Sequence, residues 1–269
     1  MALTGCTDSA EDLDVTVNGE LGAPLTVSLT GSRVPDDLVS QTLIEGEGAE
    51  IVDGGPVLFR ATSFDSRNGE IIDETGDLRL TTANSDGLGG LSGQIVGKSE
   101  GSRILIIRPG PGSGHEAAEL IVVDILSTVA QGEEASVPDN PPEGMPEIGV
   151  SDDGVPEIVE GGGAIPELAV VPLIEGDGAQ ATEEDILVIQ YVLADDKGSV
   201  LDSTWAGDGP VTVEMSELME GLRVGITDQH VGSRVLLLIP SAKATGEGDR
   251  VAIVDILGVM DSPTESPED

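Results

Sequence analysis

The chain has 269 residues and carries 51 acidic against 12 basic side chains, a formal charge of −39 at neutral pH. A surface this acidic repels phosphate backbones and excludes nucleic acid as a partner, and no apolar run approaches the roughly 20 residues that span a bilayer. Phe59, Phe64, Tyr191 and Trp205 are the only aromatics, so the core must be aliphatic, and a single cysteine allows no intrachain disulfide.

Residues 1–15 are polar and predict a disordered tether. Within them Leu3-Thr4-Gly5-Cys6 reads as a bacterial lipobox, which makes Cys6 the expected lipidation site and places the protein outside the cytoplasm on a lipid anchor. An ordinary cysteine is the alternative. Beyond the tether the chain contains itself twice. Leu43-Ile44-Glu45-Gly46-Glu47-Gly48 returns as Leu173-Ile174-Glu175-Gly176-Asp177-Gly178, Gly101-Ser102-Arg103 as Gly232-Ser233-Arg234, and Val123-Asp124-Ile125-Leu126 as Val254-Asp255-Ile256-Leu257. A period this long means tandem globular modules, because solenoid repeats run roughly 20–50 residues. The first module is expected over 16–130 and the second over 147–260, each with a leading segment. Between them 131–146, with Pro138, Pro141, Pro142 and Pro146 among acidic residues, reads as an extended linker without a core. The tail 261–269 reads as disordered.

Local signals are clearest in the second module. Ile186 to Leu193 is an apolar run broken only by Gln190, the mark of a mostly buried strand. Asp195-Asp196-Lys197-Gly198 has turn chemistry, and Pro210 to Met215 predicts a short strand. Ser216 is the expected N-cap of a helix whose apolar stripe is Leu218, Leu222 and Ile226. Arg234 to Ile239 and Val251 to Leu257 are the last strands. This order predicts an α+β fold, an antiparallel sheet packed on one short helix, in each of two tandem domains. In the first module the helix window holds Gly87, Gly89, Gly90 and Gly93, each costing about 1 kcal/mol relative to alanine, so that helix should be short or irregular.

The ordered set Gly176-Asp177-Gly178, Val188-Ile189-Gln190-Tyr191, Leu201-Asp202-Ser203-Thr204, Glu217 to Leu222, Val231 to Arg234 and Val254 to Leu257 resembles the FKBP-type peptidyl-prolyl isomerases, in particular the tandem-domain lipoproteins of actinobacteria. The resemblance covers about 40–130 and 170–259, and implies tandem FKBP-like domains that act on proline-containing polypeptides without cofactor or metal. It implies Tyr191, Asp202, Met219 and Leu222 as catalytic residues, Met219 through its backbone N–H and Leu222 in place of a tryptophan floor. Leu201, Val211, Leu218, Thr245 and Ala252 fall at substrate-binding positions where the family carries mostly aromatics. Only Gly246 to Arg250 separates Thr245 from the last strand, so the overhanging loop looks deleted and the pocket should be wide and shallow. Packing alone would also explain Leu218, Met219 and Leu222, and Asp202 could simply cap a turn through Ser203 and Thr204. Trp205 is either a rim contact or a substitute for the missing overhang. His115 and His230 read as solvent-side residues.

In the first module Ala61 stands for the tyrosine, Asp73 for the aspartate, Gly87 and Leu88 for the two aliphatics and Leu91 for the tryptophan, which predicts an inactive copy. Two functions compete for the chain. One is an isomerase with weak activity in the C-terminal domain alone. The other is a non-catalytic binding or chaperone module for extended apolar segments.

Overall fold

The computed structural model describes residues 11–73, 76–110, 117–136, 138, 140–151 and 154–260. Cys6, most of the expected tether, His115 and the tail from Asp261 lie outside the described residues. The chain divides into two compact units, one ending at Leu126 and the other running on from Ser127, with 54–58 and 78–82 grouped with the second.

The first module opens with a hairpin of β1 (Asp14–Asn18) and β2 (Thr26–Thr30). Its main sheet contains β3 (Val39–Ile44), β4 (Pro56–Asp65), β5 (Ile71–Asp73), β6 (Leu78–Thr82), β7 (Arg103–Pro109) and β8 (Ala118–Ile125), in the order β3-β7-β8-β4-β5 with β6 also on β4. Its helical segment is broken into α1 (Ser85–Leu88), a 3-10 turn at Gly89–Leu91 and α2 (Ser92–Ile95). The break falls at Gly89, whose φ of 55° and ψ of −130° lie outside helical space. One short helix is therefore the wrong description here: the glycines split it into single turns.

In the second module β9 (Glu133–Glu134) precedes a hairpin of β10 (Gly144–Val150) and β11 (Pro156–Gly162). Then come β12 (Ala169–Glu175), β13 (Ile186–Asp195), β14 (Val200–Ser203), β15 (Val211–Glu214), α3 (Glu220–Ile226), β16 (Arg234–Ile239) and β17 (Arg250–Met260). The main sheet runs β14-β13-β17-β16-β12-β9, with β15 sharing the outer edge of β13. The stretch 131–146 is thus more than a bare linker. Glu133 and Glu134 pair with Glu175 and Ile174, and β10 begins at Gly144. Edge strands need few apolar residues, so composition alone could not reveal this pairing.

Apart from Gln190 and its last residue, Asp195, β13 is predominantly apolar because both of its faces are covered. Leu187 and Ile189 join Val235, Leu237, Ile239, Ala252 and Val254 beneath α3. Val192 and Ala194 join Leu236, Leu238, Val251 and Ile253 against Ile148 and Ile158 of the hairpin. In the first module Val15, Val17, Val27 and Leu29 of its hairpin cover Phe64, Leu105, Leu120 and Val122 in the same way. The leading segment of each module is therefore the second layer of its core.

The repeated motifs have structural explanations. A Cβ on Gly46 would lie 2.1 Å from the Glu100 carbonyl oxygen and one on Gly176 would lie 2.3 Å from that of Val231, so the repeated Glu-Gly step admits no side chain. Ser102 and Ser233 hydroxyls accept the N–H of these two glycines, each at 3.0 Å. Arg103 pairs with Asp124, and Arg234 with Asp255, through two hydrogen bonds of 2.6 and 2.8 Å in each case. Both pairs are buried, and each aspartate also accepts a backbone N–H, from Gly22 at 2.7 Å or from Ala130 at 2.8 Å. Removing one partner of such a pair strands a buried charge. Asp255→Ala is accordingly expected to cost about 3–5 kcal/mol, read from chemical unfolding followed by the fluorescence of Trp205, whose ring lies 5.8 Å from the Arg234 guanidinium carbon.

Candidate functional site

Helix α3 lies unusually close to the sheet. A Cβ on Gly221 would meet Ile239 Cγ2 at 2.2 Å, and one on Gly225 would meet Leu237 Cδ2 at 2.6 Å. These two glycines, one turn apart, let the backbone of α3 descend onto β16. The helix begins later than Ser216 predicts. Met215–Glu217 forms a 3-10 turn, Leu218 and Met219 are extended (ψ of 150° and 147°), and Met219 is the residue before α3, with no side-chain cap. Its N–H therefore precedes the helical hydrogen-bond ladder.

Tyr191, Val211, Leu218, Met219 and Leu222 are all partly buried and pack on the same aliphatic cluster beneath α3. Ala252 belongs to that cluster at 1% exposure, so it supports the floor from below and presents no surface of its own. Two positions stand apart. Leu201 is 53% exposed on the edge strand β14, and Thr245 is exposed in the loop after Ser241–Lys243, where its carbonyl accepts from Arg250 Nη2 at 3.3 Å. Leu193 and Ala244, which the pattern of site residues did not single out, pack on the cluster instead. Leu193 was recoverable from strand alternation, since it lies two residues beyond Tyr191 on the same face. Trp205 takes neither of its expected places: it packs on the opposite, hairpin-covered cluster. The loop at 241–249 is held down by Asp249, whose carboxylate accepts the N–H of Ile165 (2.9 Å) and of Ser241 (2.8 Å), bonds that lower its pKa.

At the edge of the aliphatic surface the Tyr191 hydroxyl donates to Asp202 Oδ2 at 2.6 Å, while Asp202 Oδ1 accepts the Ser203 N–H at 2.9 Å. Asp202 therefore holds the local turn and the tyrosine together. Burial, and then the neighbouring carboxylate, push the Tyr191 pKa up to about 12. Among the described residues no His, Cys, Asp or Glu cluster could hold a metal. His230 is exposed, with Nδ1 2.8 Å from the Gly178 carbonyl oxygen. The surface offers apolar contact and one polar pair, Tyr191 with Asp202.

The corresponding face of the first module is polar. Ser63 follows Ala61 on β4, and its hydroxyl donates to Glu119 Oε1 at 2.8 Å; Glu119 Oε2 accepts from Arg108 at 3.0 Å. Gln94 stands one turn after Gly90 and leaves a buried Oε1 without a partner. The side chain of Asp73 lies outside the described ones, Gly87 is exposed and Leu88 is buried.

Residues 178–254 match the model of the FKBP-type peptidyl-prolyl cis-trans isomerase family. The matched segment lies within the second module. A curated relative, the probable FKBP-type peptidyl-prolyl cis-trans isomerase FkpA of Neisseria meningitidis serogroup B, is 34% identical over 80 residues, 29% of this chain. The matched part spans 29% of that relative's length. Among solved structures, the three FKBP domains of wheat FKBP73 align at 18% identity over 85% of this chain and 99% of that one, with a TM-score of 0.32. FkpA from Escherichia coli aligns at 18% identity over 43% and 53%, with a TM-score of 0.33.

Tyr191 is the only tyrosine, so tyrosinate absorbance reports this site alone. Its midpoint is expected near 12, and Asp202→Asn should move it down toward the ordinary value of about 10. Because the folded pKa is raised, the contribution of Tyr191 to stability is complete below pH 10 and is lost as pH rises through 12. A wild-type midpoint at the ordinary value would refute the hydroxyl–carboxylate bond.

Proposed function

We propose that the second module is an FKBP-type peptidyl-prolyl cis-trans isomerase acting on proline-containing polypeptides, and that the first module has no turnover. The observation that carries this reading is the Tyr191–Asp202 bond at the rim of the aliphatic surface formed by Val211, Leu218, Met219 and Leu222, within the segment that matches the family. An X–Pro bond rotates slowly because amide resonance must be broken, against a barrier of about 18–20 kcal/mol for an ordinary peptide bond. The twisted amide has lost charge separation, so an apolar surface that sheds water favours it over the planar ground state. No proton transfer or covalent step is required. Met219, ahead of α3, is positioned to offer its backbone N–H to the substrate carbonyl, and Leu222 supplies an apolar floor.

The first module lacks these means. Ala61 has no hydroxyl, and the charged Arg108–Glu119 pair with Ser63 occupies the sheet face on which proline would sit. Charged groups keep their water, and that opposes the desolvation on which the reaction depends.

A second reading, a non-catalytic module for extended apolar segments, is favoured by the exposure of Leu201 and Thr245 and by an aliphatic floor where an indole would give more contact. Turnover decides between them. In the full chain, Asp202→Ala is expected to lower kcat/KM for a proline tetrapeptide roughly tenfold, about 1.4 kcal/mol of transition-state stabilisation. Leu222→Trp should raise affinity by restoring buried contact area. Unchanged kinetics in Asp202→Ala would remove the assignment. Absence of turnover in the wild type, with binding of unfolded chains retained, would select the second reading.

We also propose that the protein belongs to the tandem-domain lipoprotein branch and is held outside the cytoplasm by acylation at Cys6, on the strength of Leu3-Thr4-Gly5-Cys6. Intact-mass measurement of protein extracted from its own cells should give a diacylglyceryl-modified Cys6. A free thiol at that position would rule the anchor out.

A further inference from the structure

We propose that Thr204 and Gln190 are positioning residues for the Tyr191–Asp202 pair, tying it through the sheet edge to the backbone of residue 128. The inference rests on that pair being the working part of the site.

The outer edge of β13 is shared by two strands that do not meet. β15 pairs with Ile186 to Ile189, and β14 pairs with Val192 to Ala194. Gln190 and Tyr191 fall in the gap, where a backbone N–H would be left without a strand partner. Thr204, at 7% exposure and directly after β14, fills it. Its hydroxyl oxygen accepts the Tyr191 N–H at 2.9 Å, and its own N–H donates to the Tyr191 carbonyl at 3.0 Å. One side chain thus takes the place of the missing ladder at this residue. Asp202 is two residues earlier, on β14, so fixing Thr204 against the Tyr191 backbone also fixes the carboxylate that receives the Tyr191 hydroxyl.

The hydroxyl hydrogen of Thr204 has two acceptors at 3.3 Å, Gln190 Oε1 and the Tyr191 carbonyl. Gln190 is itself 4% exposed, and its Nε2 donates to the Thr128 carbonyl at 2.6 Å. That carbonyl is held in place by its neighbours: Ala130 N–H donates to Asp255 Oδ2 at 2.8 Å and Gln131 N–H to the Gly232 carbonyl at 2.9 Å. Gln190 faces away from α3 while Tyr191 faces toward it. The relay therefore carries the position of residues 128–131, on one side of the sheet, to the site on the other. Gln190, the one polar residue of the β13 apolar run, is explained by this use.

The full-length protein gives two readouts from its single tyrosine, and neither depends on turnover, so failure of the isomerase reading leaves the result standing. The first is the fraction of Tyr191 ionised within milliseconds of a jump to pH 11. With a midpoint near 12 that fraction is about 10%, and for an ordinary tyrosine it is about 90%. The second is the exchange rate of the lone amide signal in protein labelled with 15N-tyrosine. Thr204→Val is expected to leave more than half of Tyr191 ionised after the jump and to speed amide exchange at least tenfold. Thr204→Ser, which keeps the hydroxyl, should behave as wild type, and Gln190→Met should fall between. Ile165→Ala, which removes a buried side chain of the hairpin-covered cluster outside the relay, serves as the control for general destabilisation and should leave the ionised fraction unchanged. Wild-type ionisation in a folded Thr204→Val protein would overturn the proposal. So would a Thr204→Ser protein that matches Thr204→Val, or an Ile165→Ala protein that ionises as readily. If Thr204→Val does not fold, Gln190→Met decides, and an unchanged fraction there removes the relay.

Discussion

The buried arginine–aspartate pair is the interaction around which each module is organised. Arg234 and Asp255 sit directly opposite each other on β16 and β17, as Arg103 and Asp124 do on β7 and β8. Two charges taken from water are tolerable only when each finds its partner and its remaining hydrogen bonds. That demand pins the register of the two central strands, because a slip of one residue would separate the charges and turn every side chain to the wrong face. It also draws in the chain outside the sheet. In the first module Arg103 donates to the carbonyls of Gly19 and Glu20, both at 2.8 Å, and Asp124 accepts from Gly22. The turn of the leading hairpin is thereby fastened to the sheet. In the second module the corresponding aspartate holds Ala130, and the guanidinium lies over Trp205.

Once the register is set, the face beneath α3 follows. Leu237 and Ile239 come under Gly225 and Gly221, and the absence of side chains at those glycines lets the helix settle low enough for Met219 and Leu222 to reach the same cluster as Tyr191. The candidate site is a by-product of this close approach. It is the part of the core that α3 leaves only partly covered, bounded by the edge strand that brings Asp202 to the Tyr191 hydroxyl.

The two modules keep the same frame and differ in what they place upon it. The ion pair, the glycine steps and the hairpin layer recur, because each is required for a sheet of this register to fold. The face used in the second module does not recur. Where the second has Tyr191, Leu193, Ile239 and Gly225, the first has Ala61, Ser63, Arg108 and Gln94, and a polar network has replaced the apolar surface. The residues that hold the fold are the same in both copies, and the residues of the face differ.

The duplication, the strands Ile186 to Leu193 and Arg234 to Ile239, the aliphatic core and the broken first helix were legible in the sequence, since each depends on local pattern: period-2 burial, apolar runs or glycine density. So was the gathering of Tyr191, Met219 and Leu222 on one apolar cluster, through spacing and family resemblance. Other features came only with the tertiary structure. Ser216 lost the helix start to Met219 because the backbone stays extended through Leu218, a matter of packing against the sheet rather than of capping chemistry. Trp205 belongs to the hairpin-covered face because β14 ends at Ser203 and the chain turns at Thr204 across the edge of β13. The strand at Glu133–Glu134 carries no apolar signal, because an edge strand is held by backbone hydrogen bonds that any side chain permits. The partnership of Arg234 with Asp255 was hidden for the same reason. Sequence displays both residues and repeats them at equal spacing, but only the pairing of β16 with β17 decides that two charges 21 positions apart become one buried neutral unit.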